Sequence, residues 1–462
     1  MLSLFDNHSL GRREFLRIGG LGLGGLSLAD LLSAKAHAAN GSAVRDKSVI
    51  FLFMHGGPSQ TETFDPKMTA PSGIRSATGE VQTSLPGVTF GGTFEKLAPF
   101  ADRMAIVRSY VTGDGRHDIK PVVSKDTADA NLGSLYSRIV GQNRPGTGMP
   151  TNVALFPQAV DPDTMPPVKQ FGNFESTGAV GSAFAPFAPG SGGTFQQNMK
   201  LGIPLPRLDD RRLLLQELDR FRSGADASGM LDGLDHIRQQ AFDTIMGGVA
   251  DAFDLTKEDP KTIARYDTAP LIKPEHISEK WNNHKRYKDN VKTLGKLLLL
   301  ARRLCEAGCG FVTVTTNFVW DMHADANNAT MEEGMRYVGQ PFDHAVSAFL
   351  DDVENRGLSD KILLVCSGEM GRTPKINKRG GRDHWGNLAP LMLAGGGLNM
   401  GQVLGQSTRD VGEPLSTPYR IPDLIATVMH TLFDLGELRL QRGVPNDIAR
   451  AITSGSPIPG LV

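Results

Sequence analysis

Six side chains able to ligate a metal stand just beyond apolar runs of this sequence: His55, His117, Asp321, His323, Glu369 and His384. Imidazole and carboxylate without thiolate suit a divalent ion such as Zn or Mn. Asp321 and His323 are two residues apart, so on an extended segment both side chains point the same way and can share one ion. Glu369 closes the segment Lys361-Ile-Leu-Leu-Val-Cys-Ser-Gly-Glu369, and the polar stretch after it returns His384 between Asp383 and Trp385. Two readings fit these residues: a metal centre and a purely structural polar network. For each residue alone the second is as good; six together favour the first.

The elements that must position them are strands. Ser48–Met54, Met104–Arg108, Pro150–Phe156, Gly310–Thr316, Lys361–Cys366 and Ala389–Ala394 are short apolar or β-branched runs bounded by turn residues. Between them, apolar periodicity predicts helices over Leu208–Phe221, Leu231–Phe253, Lys285–Ala307, Met331–Asn355 and Asp423–Leu435. Strands alternating with long helices predict an α/β fold, with a mostly parallel sheet sandwiched between helices. In such a sheet the carboxyl ends share one edge, and sites are built there. Pro157–Pro206, poor in periodicity and rich in Pro, Gly, Phe and Ser, reads as a long loop that covers or lines a site. His430, on the last helix, reads as a packed core histidine.

Composition narrows the function. The 462 residues carry 49 basic and 50 acidic side chains, so bulk charge points to neither nucleic acid nor an anionic membrane. The three cysteines, Cys305, Cys309 and Cys366, lie in helical or strand patterns and imply core packing, not a disulfide framework. Gly11-Arg-Arg-Glu-Phe-Leu-Arg17, a Gly-rich weakly apolar stretch and Ala36-His-Ala38 form a twin-arginine export signal over residues 1–38. The expectation is a periplasmic or extracellular protein with one domain over 39–462. No stretch after the signal is apolar for long enough to span a membrane.

His55-Gly-Gly-Pro-Ser59, Phe64-Asp-Pro-Lys67, Trp320-Asp-Met-His323, Ser367-Gly-Glu-Met-Gly-Arg-Thr-Pro374 and Gly381-Arg-Asp-His-Trp385 together resemble one family of exported proteins, domain of unknown function fifteen-oh-one. Ala301-Arg-Arg-Leu304 and Ala394-Gly-Gly-Gly397 extend the likeness over nearly the whole mature chain. That family is similar to the alkaline phosphatase and sulfatase superfamily, which implies an alkaline-phosphatase-like fold and hydrolysis of phosphate or sulfate esters at a metal centre. On that resemblance, His55 stands where the superfamily's first strand carries a metal-binding aspartate. Asp321 and His323 match its Asp and His pair, and His384 its last histidine ligand. The superfamily's Asp-His-Gly reads Glu369-Met370-Gly371 here, so one histidine is missing, and a single ion is easier to reconcile than two. There is no Cys-x-Pro-x-Arg, and Ser109 and Thr112 are nucleophile candidates by position only.

In a hydrolase, Arg372 or Arg382 would neutralise the ester's equatorial oxygens through bidentate guanidinium contacts. The substrate would be a small-molecule or glycan ester. Serine hydrolase chemistry is a poor rival, since no Gly-x-Ser-x-Gly elbow occurs. The competing expectation is an exported binding or assembly protein that keeps the scaffold without the catalysis.

Overall fold

Every residue of Ser48–Phe53 (β1) is buried, which a strand achieves only where both faces of its sheet are covered. In this computed structural model, which describes residues 43–189, 249–440 and 444–462, β1 lies inside a seven-stranded sheet. The other strands are Met104–Val107 (β2), Asn152–Leu155 (β3), Phe311–Thr315 (β4), Ile362–Ser367 (β5), Leu391–Gly395 (β6) and Gln402–Leu404 (β7). Their spatial order is β7-β2-β6-β5-β1-β4-β3. Neighbours pair parallel except at β6, which runs antiparallel to both β5 and β2. The chain thus has the expected α/β class with a mostly parallel sheet.

Period-two alternation divides β1 between two cores. Ile50 and Leu52 join a cluster with the leucines of His284–Glu306 (α3) and with Phe342, Val346 and Phe349 of Gln340–Asn355 (α4). Val49, Phe51 and Phe53 face Leu132–Val140 (α1), Ile421–Leu432 (α5) and Asn446–Thr453 (α6). Burying each such side chain stabilises the fold by about 1.5–3 kcal/mol. Cys305, Cys309 and Cys366 are buried and unbridged.

Two helices differ from the sequence pattern. The run expected as one helix over Met331–Asn355 is α-helical at Met331–Gly334, widens to a π turn at Met335–Gly339, and resumes as α4. Pro341 supplies the reason, because it has no N–H for an i→i−4 bond and its ring crowds the preceding turn. The helix expected over Asp423–Leu435 ends at Leu432. The eight-residue α6 was too short to register as a pattern. The export signal and the Leu208–Phe221 helix lie outside the described residues, as does Leu231–Phe253 up to its helical end at Val249–Phe253. Among the described residues no helix is long and apolar enough to cross a membrane.

A buried charge network ties Pro260–Tyr266 (α2), α3 and α4 together on one face. Arg302 is fully buried and contacts Glu258 at 2.6 Å, Asp352 at 2.9 Å and Glu306 at 2.7 Å. Arg356 bridges the same Glu258 and Asp352 at 2.9 and 2.8 Å, and Arg303 reaches Glu258 at 3.0 Å. The Tyr266 hydroxyl donates to Asp352 at 3.0 Å. Burial would raise the Glu258 carboxyl, but Arg303 and Arg302 outweigh it and hold it down at about 2.

Candidate metal centre

Strands β1, β4 and β5 are adjacent and parallel, so their carboxyl ends open on one edge. His55 leaves β1 there, Asp321 and His323 lie on the segment after β4, and Glu369 follows β5. After β5 the chain forms a short ribbon in which Gly371–Arg372 pairs antiparallel with His384–Trp385, setting His384 opposite Arg372. His117 comes from the loop after β2. The close approach needs glycine at two places. Gly56, at φ 114°, would put a Cβ 2.6 Å from the Asp321 backbone nitrogen, and a Cβ on Gly381 would collide with the His323 carbonyl.

Four of the six expected ligands meet. His117, Asp321, His323 and His384 each offer one ligand atom, all within 4.8 Å of one another. Asp321 Oδ1 is the hub, with the Nε2 atoms of His323, His117 and His384 at 2.8, 3.3 and 3.4 Å. The Nε2 atoms of His323 and His384 face each other at 2.7 Å. Lone pairs on two imidazole nitrogens repel at that distance unless a proton or a cation sits between them.

The outer ring nitrogens are braced by carboxylates. His117 Nδ1 lies 3.1 Å from Glu369 Oε1, and the fully buried Glu369 also accepts from the Gly56 N–H at 3.0 Å. His323 Nδ1 lies 3.4 Å from Asp383 Oδ1, which accepts from Asn377 at 3.1 Å. A carboxylate behind the imidazole keeps Nδ1 protonated and leaves the Nε2 lone pair facing inward, the arrangement of histidines that hold a metal. Two such imidazoles, with His384 and one carboxylate oxygen, fit a divalent ion. Glu369 stands behind His117, outside the group of four.

Burial would raise the Asp321 carboxyl, but Arg372 and the three imidazoles hold it far below the carboxylate range. Burial would lower His117, yet Asp321 and Glu369 outweigh it and raise it. His384 is lowered, first by burial. Burial raises Glu369 despite its bond to His117.

The remaining expected residues lie elsewhere. His55 is buried in an aromatic box of Phe53, Phe171, Phe174 and Phe318, with ring centroids 5.0–6.2 Å away, and its Nε2 makes no hydrogen bond. Burial lowers its pKa to about 3, so it stays neutral beside the cluster without joining it. Ser109 Oγ donates to the Thr417 carbonyl at 3.0 Å, whereas the buried Thr112 hydroxyl is unbonded. His430, expected in the core, is only half-buried on α5, where its charged neighbours are Arg45 and Asp434.

Neither arginine is free to clamp an ester. Arg372 is fully buried; it contacts Asp321 Oδ1 at 2.6 Å and His323 Nε2 at 3.4 Å, and donates to the carbonyls of Gly56, Gly57 and Arg382. Four of its five N–H donors go to oxygen acceptors, and the fifth faces His323 Nε2. Arg382 forms a buried pair with Glu62 at 2.8 Å and bonds the carbonyls of Thr373, Pro374, Ile74 and Arg75. It holds the Glu62 loop against the ribbon.

Several site residues escaped the sequence. Asn328 donates to Asp321 Oδ2 at 3.0 Å, although Asp325-Ala-Asn-Asn328 has only the composition of a turn. Phe171, from the long Pro-rich loop, stacks on Phe318 at 4.5 Å and lies 4.9 Å from His117. The described part of that loop, up to residue 189, lies against the cluster through Phe171, and residues 190–206 of it lie outside the described residues.

Comparison with solved structures gives likenesses over most of the chain at low identity. A sulfatase from Pseudoalteromonas sp. is 11% identical, with 86% of this chain and 69% of that one covered and a TM-score of 0.37. The phosphonate monoester hydrolase of Silicibacter pomeroyi is 10% identical, with 89% and 78% covered and a TM-score of 0.34. The alkaline phosphatase of the Antarctic bacterium TAB5 is 10% identical, with 87% and 99% covered and a TM-score of 0.28. Comparison with curated proteins gives no match. Residues 46–439 match the model described as Protein of unknown function (DUF1501), and the chain belongs to that family.

Proposed function

We propose that the protein is an exported, metal-dependent hydrolase of phosphate or sulfate esters of small molecules or glycans. Its ion, Zn or Mn, would be held by His117, Asp321, His323 and His384. The observation that carries this reading is the convergence of three imidazoles, two of them backed by carboxylates, on one carboxylate oxygen, Asp321 Oδ1. A divalent ion bound there would act as a Lewis acid toward an ester oxygen and lower the pKa of water.

The chain's own residues have separable tasks. Glu369 holds the proton on His117 Nδ1, Arg372 fixes Asp321, and Phe171 with Phe318 excludes water from one side of His117. Water attacks the phosphorus or sulfur, the ester P–O or S–O bond breaks, and a proton from that water passes to the departing oxygen, which leaves as the alcohol. Of the two hydroxyls proposed from sequence, Thr112 is unbonded and Ser109 is engaged. The twin-arginine pattern in residues 11–17 supports export in the folded state, with an ion already inserted.

A second reading, a non-catalytic binding protein, is favoured by one specific observation. Both arginines proposed as oxyanion clamps have their donors satisfied internally. Elemental analysis separates the first step. The tag-free protein is expected to retain about one equivalent of divalent metal, and His384→Ala to lose it. Turnover of aryl phosphates or sulfates by the loaded parent, absent from His384→Ala, supports the hydrolase. A loaded parent without turnover on either ester class favours the binding protein, and a parent that stays metal-free after reconstitution with Zn, Mn or Ca removes the metal reading.

A further inference from the structure

Asp321 divides its two oxygens between different tasks. Oδ1 faces the three imidazoles and Arg372, while Oδ2 accepts from Asn328 Nδ2 at 3.0 Å. Asn328 is itself buried, at 3% exposure, and is held on three sides. Its Oδ1 accepts from Asn283 Nδ2 at 2.7 Å, and its backbone N–H donates to Asp325 at 2.8 Å. One residue on, the Ala329 N–H donates to the buried Tyr287 hydroxyl at 3.0 Å.

Asn283 and Tyr287 belong to the start of α3. Asn283 stands at the N-cap of that helix, where an asparagine side chain ordinarily accepts from a backbone N–H of the first turn. It makes no such bond here and reaches Asn328 instead. Alongside it, Asn282 bonds Asn327 side chain to side chain at 2.8 Å, and the backbone N–H groups of Asn282 and Asn283 donate to the carbonyls of Ala326 and Asn327. The amide orientations follow from chemistry. An ionised carboxylate accepts only, so Asn328 must turn its NH₂ to Asp321, which leaves its carbonyl to accept from Asn283.

We infer that Asn328, backed by Asn283, is a positioning residue that aims Asp321 Oδ1 into the metal centre and couples its aim to the start of α3. This rests on the metal reading above. A carboxylate whose second oxygen is tied down offers one oxygen at a fixed place, so less ordering is left for ion binding. Freed of Asn328, Asp321 keeps Arg372 and the imidazoles at Oδ1 but loses the contact that fixes Oδ2, so its side-chain torsions are less constrained.

The test is isothermal titration of Zn²⁺ into the metal-stripped full-length parent, Asn328→Ala and Asn283→Ala, with the thermal midpoint of each stripped protein recorded. Zn²⁺ affinity is expected to fall about 10–100-fold in Asn328→Ala, the usual effect of losing an outer-shell partner, with stoichiometry unchanged. Asn283→Ala should lose less, in the same direction, and add little in the double variant, because both act through one bond to Asp321. Unchanged affinity in both variants overturns the inference even if their midpoints fall, since that is the mark of a merely structural bond. Should Asn328→Ala fail to fold, the affinity of Asn283→Ala decides. A parent that binds no Zn²⁺ overturns the inference together with the metal reading, whereas a binding parent with unaltered variants overturns the inference alone.

Discussion

Asp321→Ala is expected to abolish retention of a divalent ion and to leave the metal-free protein about 3–5 kcal/mol less stable. The first effect follows because Asp321 Oδ1 is the atom on which all three imidazoles converge. The second follows from Arg372, which is fully buried with Asp321 as its carboxylate partner at 2.6 Å. Removing that partner strands a fully buried guanidinium without its counter-charge, which costs far more than the net strength of the pair. Arg372→Met in the same background removes the stranded charge, so the double variant should regain much of the stability while still retaining no metal. Urea midpoints of the stripped single and double variants, with metal content of the unstripped ones, check both parts. A single variant as stable as the parent would refute the stranded-charge account, and one that keeps its ion would refute the assignment of the hub.

Arg302→Met should destabilise the fold by a similar amount, about 3–5 kcal/mol, without touching the metal centre. Arg302 is fully buried and engages Glu258, Asp352 and Glu306. Methionine fills much of its volume but leaves Glu258 and Asp352 with Arg303 and Arg356 as charged partners, beside the Tyr266 hydroxyl on Asp352. The network also dictates a pH signature. The Glu258 carboxyl lies at about 2 in the folded protein against its ordinary 4.5. A depressed folded value means stability that is fully present above 4.5 and is lost as pH falls toward 2. The stability difference between parent and Glu258→Gln should therefore be largest at neutral pH and shrink between pH 4.5 and 2. A difference that is flat across that window would show that the arginines do not favour the ionised form. Metal content should be unaltered in Arg302→Met, which separates this effect from the first.

The scaffold was legible because burial on both faces leaves a plain mark: Ser48–Phe53 and Ile362–Ser367 are nearly unbroken apolar runs, and their ends name the site edge. The Asp321-x-His323 spacing and the return of His384 were legible for the same reason, as polar residues where a strand stops. What the sequence could not carry was partner choice. His55 stands at a strand end as Asp321 does, but three phenylalanines distant in sequence close around it. Glu369 and Asp321 look equivalent, yet the Gly56 N–H and His117 Nδ1 take up the Glu369 carboxylate. Arg372 and Arg382 read as anion clamps because a sequence shows charge without showing that each donor already has an acceptor. Asn328 carried no signal at all, since its task depends on an amide contributed by α3.

The single reversed strand, β6, has a bearing on how such a protein could diversify. Because β6 runs against β5 and lies beside it, the excursion from Gly368 to Pro390 departs from and returns to the same edge, on neighbouring strands. That stretch contains Glu369, Arg372, Arg382, Asp383 and His384. It is an exchangeable cassette: its length and contents can change without moving any strand out of register, since both anchorage points belong to the sheet and are set by Leu391 opposite Ser367. Grafting the equivalent stretch of a relative between Ser367 and Leu391 would exchange His384 and its surroundings while His117, Asp321 and His323 stay with the recipient.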